Sequence, residues 1–157
     1  MRLVTDFIGN RLFIIVAVSW FIAQLLKTVL YFAVNKKFCA ERLFGAGGMP
    51  SAHSASVTAL VFGTSVLYGT GGFEFAVAAV LAAIVIYDAR GVRKEAGEHA
   101  KILNRIVDLF NVDNSKRIDA EKRLNELIGH TGIQILMGIL LGAAVCTAAY
   151  FSGFFNT

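Results

Sequence analysis

The chain carries three histidines, the side-chain type whose charge changes most readily near neutral pH. His53 lies in "GGMPSAHSAS", residues 47–56, at the start of an apolar run. Gly47 and Gly48 let the backbone turn and come close to a ligand. Pro50 suits the first position of a helix, where its missing N–H is no loss. Ser51, Ala52 and His53 then present backbone N–H groups at the positive end of a helix dipole, a ready anion site. Ser51 and Ser54 add hydroxyl donors. The second candidate, His130, follows Gly129 where another apolar run begins, and the third, His99, stands among Glu95, Glu98 and Lys101. Asp88 could orient either of these two rings by accepting its N–H, as the acid of a catalytic triad does. Arg90 and Arg93 are three apart and would share a helical face, and arginine grips phosphate in a two-pronged fashion.

Each of these residues also has a plainer reading. "PSAH" can be an ordinary helix start with a histidine at headgroup level. His130 can be a helix cap, His99 a solvated helix residue, and the arginines flanks of a membrane span. What separates the readings is position, and position is set by the apolar segments around them.

Of the 157 residues 56% are hydrophobic, and the mean hydropathy is +0.63, whereas a soluble domain sits near about 45–50% apolar. Four segments, Leu12–Val34, Ser51–Tyr68, Phe73–Tyr87 and Thr131–Ser152, are too uniform for a soluble core, and roughly 20 apolar residues span a bilayer. The expected fold is all-α, a single membrane domain of four transmembrane helices. The first segment is too long for a secretory signal, carries Gln24 and Lys27, and has no small-residue cleavage pattern after it. "YGTGGF" makes the second and third helices an antiparallel hairpin.

After Tyr87 the composition turns charged. Ala96, Ala100, Leu103, Val107 and Phe110 form a helical stripe, so the segment at about 94–128 reads as amphipathic and cytoplasmic, lying on or near the membrane. Within it, Asn114 or Ser115 would cap a second short helix burying Leu124, Leu127 and Ile128. Four crossings put both termini on one side with Arg2 and Arg11, and put Lys36, Lys37, Arg42 and the nine basic residues of 88–130 on the other. The positive-inside rule makes that second side cytoplasmic. By parity, the start of helix 2 (Pro50–Ser56), the end of helix 3 (Tyr87–Arg93) and His130 all come to this one face.

"GGMPSAHS", followed by "YDARGVR" and "IGHT", resembles the divergent branch of the type-2 phosphatidic acid phosphatase superfamily, also described as acid phosphatase or vanadium-haloperoxidase related. The resemblance covers nearly the whole chain. It implies a phosphatase acting on a lipid-linked phosphate, phosphatidic acid-like or isoprenoid, through a phosphohistidine. In the wider superfamily one histidine, backed by an acid, attacks phosphorus while another protonates the leaving oxygen. Lysine, arginine and serine donors hold the phosphoryl oxygens without a metal or other cofactor.

Carried over, Pro50, Ser51 and His53 match the middle motif, with His53 as general acid. Lys36 and Arg42 match the first motif one residue short and without the following proline, leaving Lys27 or Lys37 as substitutes. Arg93 and His99 have the spacing of the third motif, but position 103 is Leu where the supporting acid is expected. The nucleophile is therefore His99 or His130, with Asp88 as the available acid and Lys27, Lys36, Arg42, Gly48, Ser51, Ser54, Arg90 and Arg93 as the phosphate-binding set.

The competing class is a non-catalytic membrane protein binding anionic lipid or a partner through the same basic face. A channel or transporter subunit would need a polar path, which only Trp20, Gln24, Lys27 and Tyr31 of the first helix offer. Glu74 reads as a boundary residue. Gly138 and Gly142 form a G-x-x-x-G pair that serves packing within one chain or a homo-oligomer. Basic residues interleaved with acids do not form a nucleic-acid surface, and no cluster has metal-site spacing. Cys39 and Cys146 imply no disulfide framework. The expected location is the plasma (inner) membrane.

Overall fold

The computed structural model describes residues 6–36, 48–111, 124 and 129–156. They form five helices: α1 (Arg11–Asn35), α2 (Ala52–Tyr68), α3 (Phe73–Arg90), α4 (Val92–Asn111) and α5 (Gly132–Phe151), with no strand among the described residues. Three stretches, Arg11–Asn35, Phe73–Leu109 and Gly132–Phe151, are long and apolar enough to cross a membrane. The protein is an integral membrane helical protein. The fourth expected span, α2, has 17 residues, about 25 Å of helix at 1.5 Å per residue. The expected second amphipathic helix lies outside the described residues except for Leu124.

Local sequence sets the helix ends. Asn10 caps α1 by accepting from the Phe13 N–H at 3.1 Å, and α1 ends where Lys36 takes a left-handed conformation (φ 54°) and returns its N–H to the Phe32 carbonyl. Ser51 caps α2. Gly69, at φ +76°, lets the chain leave α2. α3 runs three residues past the expected Tyr87, to Arg90. Gly91 then bends the path while Gly91 N–H to Tyr87 O and Glu95 N–H to Gly91 O keep a helical turn on either side.

α2 is the central helix, touching α1, α3 and α5. It can be central because its buried positions are small: Ala52, Ser54, Ala55, Ala59, Gly63 and Thr64, and small residues let helix backbones approach closely. α5 lies parallel to it. A Cβ on Gly138 would strike the Ser51 carbonyl and one on Gly142 the Ala55 carbonyl. One turn further on, Cys146 Sγ donates to the Ala59 carbonyl at 3.2 Å. The G-x-x-x-G pair is thus buried against α2 within the chain. α1 runs antiparallel to α2, Ile15 packing with Ala59 and Cys146, and Ala23 with Ala52 and Ala55. Near the far end Arg11 donates to the Phe155 carbonyl at 2.9 Å.

Two expected faces are displaced. On α1 the buried stripe is Ile15, Ser19, Ala23 and Lys27, flanked by Gln24 and Thr28, whereas Trp20 is 38% exposed. The apposed small residues of α2 draw in the small side of α1 rather than its aromatic side. On α4, Ala100 is buried with Gly97 and Asn104, but Ala96 and Leu103 are exposed. Its open apolar face is Ile102, Leu103, Ile106 and Leu109. The stripe reading gave no weight to Asn104, which faces inward because its amide pairs doubly with the backbone of Leu124, at 2.9 and 3.0 Å.

Candidate functional site

α1 and α3 end where α2 and α5 begin, so four helix termini share one end of the bundle. Three contacts tie this end together. The Ser51 N–H donates to the Gln134 carbonyl at 3.0 Å, and the His130 N–H donates to the Ala89 carbonyl at 3.0 Å. The aliphatic stem of Lys27 lies against Gly48, where a Cβ would come within 2.8 Å of Lys27 Cδ. Gly48 also has φ +87°, so both backbone conformation and space require glycine there.

This closure brings the rings of His53 and His130 to 6.1 Å between centroids, tilted by 58°. His130 is 5% exposed and His53 is half-buried. Lys27, also 5% exposed, stands beside the Gly48–Pro50 turn. Asp88 is half-buried and immediately precedes Ala89, whose carbonyl holds His130. At the start of α2, the N–H groups of Ala52 and His53 come too early in the helix for an intrahelical partner.

The two serines form the cap of α2. Ser51 and Ser54 are both 0% exposed. Ser51 Oγ accepts from the Ser54 N–H at 3.3 Å and from Ser54 Oγ at 3.1 Å. Both bonds reach Ser51 Oγ as acceptor and close the helix end, leaving its own O–H as a donor.

Of the other sequence candidates, His99 lies apart. His99 is exposed on α4, and among the described helices α4 touches only α3. Beside it, Lys101 pairs with Glu98 at 2.9 Å, and this hydrogen bond and charge hold the Glu98 carboxyl below its ordinary range. Lys36 is exposed at the end of α1, about 13 Å of helix beyond Lys27. Arg90 is exposed at the end of α3. Lys37, Arg42 and the Arg93 side chain lie outside the described residues.

Sequence reasoning passed over two features. The Gln134 side-chain oxygen accepts from the Thr131 N–H at 3.1 Å and lies 3.2 Å from His130 Nδ1. The signal was present as T-x-x-Q, Thr131 to Gln134, the spacing of a capping box, and that box is formed. Among the described residues Ser19 Oγ and Gln24 Oε1 are buried without a hydrogen-bond partner, which no spacing pattern announces. Among the described residues no cluster of His, Cys, Asp and Glu could hold a metal ion.

The divergent PAP2 family profile matches residues 8–145, a range that includes every group at this end of the bundle. The chain is also 39% identical, over 138 residues covering 82% of this chain and 87% of the relative, to the uncharacterized membrane protein YuiD of Bacillus subtilis (strain 168). No solved structure matches. With a family match over most of the chain and a membrane-protein relative matched over most of its length, this protein belongs to the divergent PAP2 family.

Proposed function

We propose that this protein is a membrane-embedded phosphatase that hydrolyses a lipid-linked phosphate monoester, phosphatidic acid-like or isoprenoid, at the cytoplasmic headgroup level of the plasma membrane. The observation that carries the reading is the 6.1 Å approach of His53 and His130 at a helix end beside buried Lys27. At that spacing one tetrahedral phosphoryl group can touch both rings. His130 is the nucleophile. Its ring nitrogen attacks phosphorus, the phosphorus–oxygen bond to the lipid breaks, and His53 gives its proton to the leaving oxygen. Water, deprotonated by His53, then attacks the phosphohistidine, releasing phosphate and restoring His130.

Lys27 and the first N–H groups of α2 offset the charge on the phosphoryl oxygens. The cations Arg90 and Lys36, exposed at the ends of α3 and α1, draw the anionic headgroup toward this face. His99 takes no part. α2 is the fourth crossing, the α1–α2 and α3–α5 connections are cytoplasmic, and the three long helices enclose α2 so that its short length meets protein on most sides.

The test is phosphate release from short-chain lipid phosphates by the purified protein in detergent. His53→Ala and His130→Ala are each expected to lower turnover at least about a hundredfold, and His99→Ala to leave it unchanged. Turnover that survives His53→Ala removes the catalytic assignment. A second reading, non-catalytic binding of anionic lipid, draws on the enclosure of Ser51 and Ser54, which are both 0% exposed. It is separated by lipid phosphate binding without release.

A further inference from the structure

We infer that Gln134 is a positioning residue that fixes the tautomer of His130, placing the proton on Nδ1 and the lone pair on Nε2. The Thr131 backbone N–H can only donate, and it meets the Gln134 side chain at 3.1 Å. An amide –NH₂ there would set donor against donor, so the atom facing Thr131 is the carbonyl oxygen, Oε1. The same Oε1 lies 3.2 Å from His130 Nδ1. An amide oxygen only accepts, so Nδ1 must carry hydrogen. In the neutral ring the basic nitrogen is then Nε2.

The orientation of Gln134 is held from several directions. The Thr131 hydroxyl accepts from the Gln134 N–H at 3.4 Å, completing the capping box. The Gln134 carbonyl also receives the Ser51 N–H at 3.0 Å, so one residue binds the His53-bearing helix by its backbone and the His130 ring by its side chain. His130 itself is pinned through its main chain to Ala89. A ring fixed at both its backbone and Nδ1 has little freedom left, and a positioned nucleophile is what in-line attack needs.

The chemical meaning of this arrangement rests on the phosphatase reading. There, Gln134 supplies the orienting acceptor that an acid supplies elsewhere, and the nucleophilic nitrogen is Nε2. The tautomer itself stands on geometry alone and is measurable without turnover. The experiment is nitrogen NMR of the full-length protein with labelled histidine, in detergent micelles, above the titration range of the ring. Wild-type His130 is expected to show the Nδ1–H pattern.

Gln134→Leu removes the acceptor, and the ring is expected to shift toward the Nε2–H form favoured by free histidine. Gln134→Glu keeps an acceptor for both donors and is expected to retain the Nδ1–H pattern. Thr131→Ala weakens the cap without touching the ring contact and is expected to leave the tautomer unchanged. Against short-chain lipid phosphate, Gln134→Leu is expected to lower kcat about a hundredfold with KM little altered. An Nε2–H pattern in the wild type overturns the inference, as does an unaltered pattern in Gln134→Leu. An Nδ1–H pattern in a protein that releases no phosphate upholds the positioning and removes only the phosphatase reading.

Discussion

Individual residues show where this fold holds polar groups at a cost. Ser19 is 0% exposed and its hydroxyl has no partner among the described residues, although Thr28, Ser56 and Thr64 each return theirs to a carbonyl four residues back. An unsatisfied buried hydroxyl costs about 1–3 kcal/mol. Ser19→Ala is therefore expected to raise thermal stability by up to about 1 kcal/mol, read from melting in detergent, and a clear loss of stability would show that Ser19 has a partner. Gly48→Ala goes the other way. It imposes a side chain at φ +87° and pushes on Lys27, costing about 1–2 kcal/mol in backbone conformation alone. The same change is expected to displace the Lys27 stem and weaken phosphate binding. The exposed Glu98–Lys101 pair offers a contrast. Its lowered carboxyl pKa means that whatever it adds is present above the ordinary carboxylate range and lost as pH falls through the folded value. Between half-exposed partners that contribution is small, so Lys101→Ala is expected to leave the melting temperature where it was.

Among the elements, the α2–α5 seam decides whether the site exists. Alanine at Gly138 or Gly142 would be favoured in an isolated helix by about 1 kcal/mol. Here its Cβ meets a backbone carbonyl and the Cβ of Ser54 or Thr58, so the helices must part. Gly138→Ala is expected to lower the melting temperature and also to separate Ser51 from Gln134, which would move the two histidine rings apart. A stability gain in that variant would contradict the seam. The apolar segments, the hairpin turn and the shared level of the polar clusters were legible in the sequence, because span length and chain parity constrain them directly. The inward faces of α1 and α4 were less so. Helical spacing selected Trp20 on α1 and Leu103 on α4, but Ser19 and Gly97 lie inward, and Asn104 turns inward to meet Leu124. Gln134 went unread because a capping box looks structural until its acceptor is found to serve a histidine as well.

For the whole molecule, orientation and chemistry are separate questions with separate tests. Cys146 is buried, which leaves Cys39, the other cysteine of the two, to report on sidedness. With the site at the cytoplasmic face, an impermeant thiol reagent is expected to spare Cys39 in intact cells and to label it after the membrane is opened. Labelling in intact cells would place the site outside. The chemistry is tested most directly by rapid quenching of the purified protein with a lipid phosphate radiolabelled in its phosphate group. The expected result is an acid-labile, alkali-stable label on His130 that accumulates within a turnover, disappears in His130→Ala and persists in His99→Ala. Label on His99, or phosphate release with no labelled histidine at any quench time, would contradict the assignment of His130 as the attacking residue.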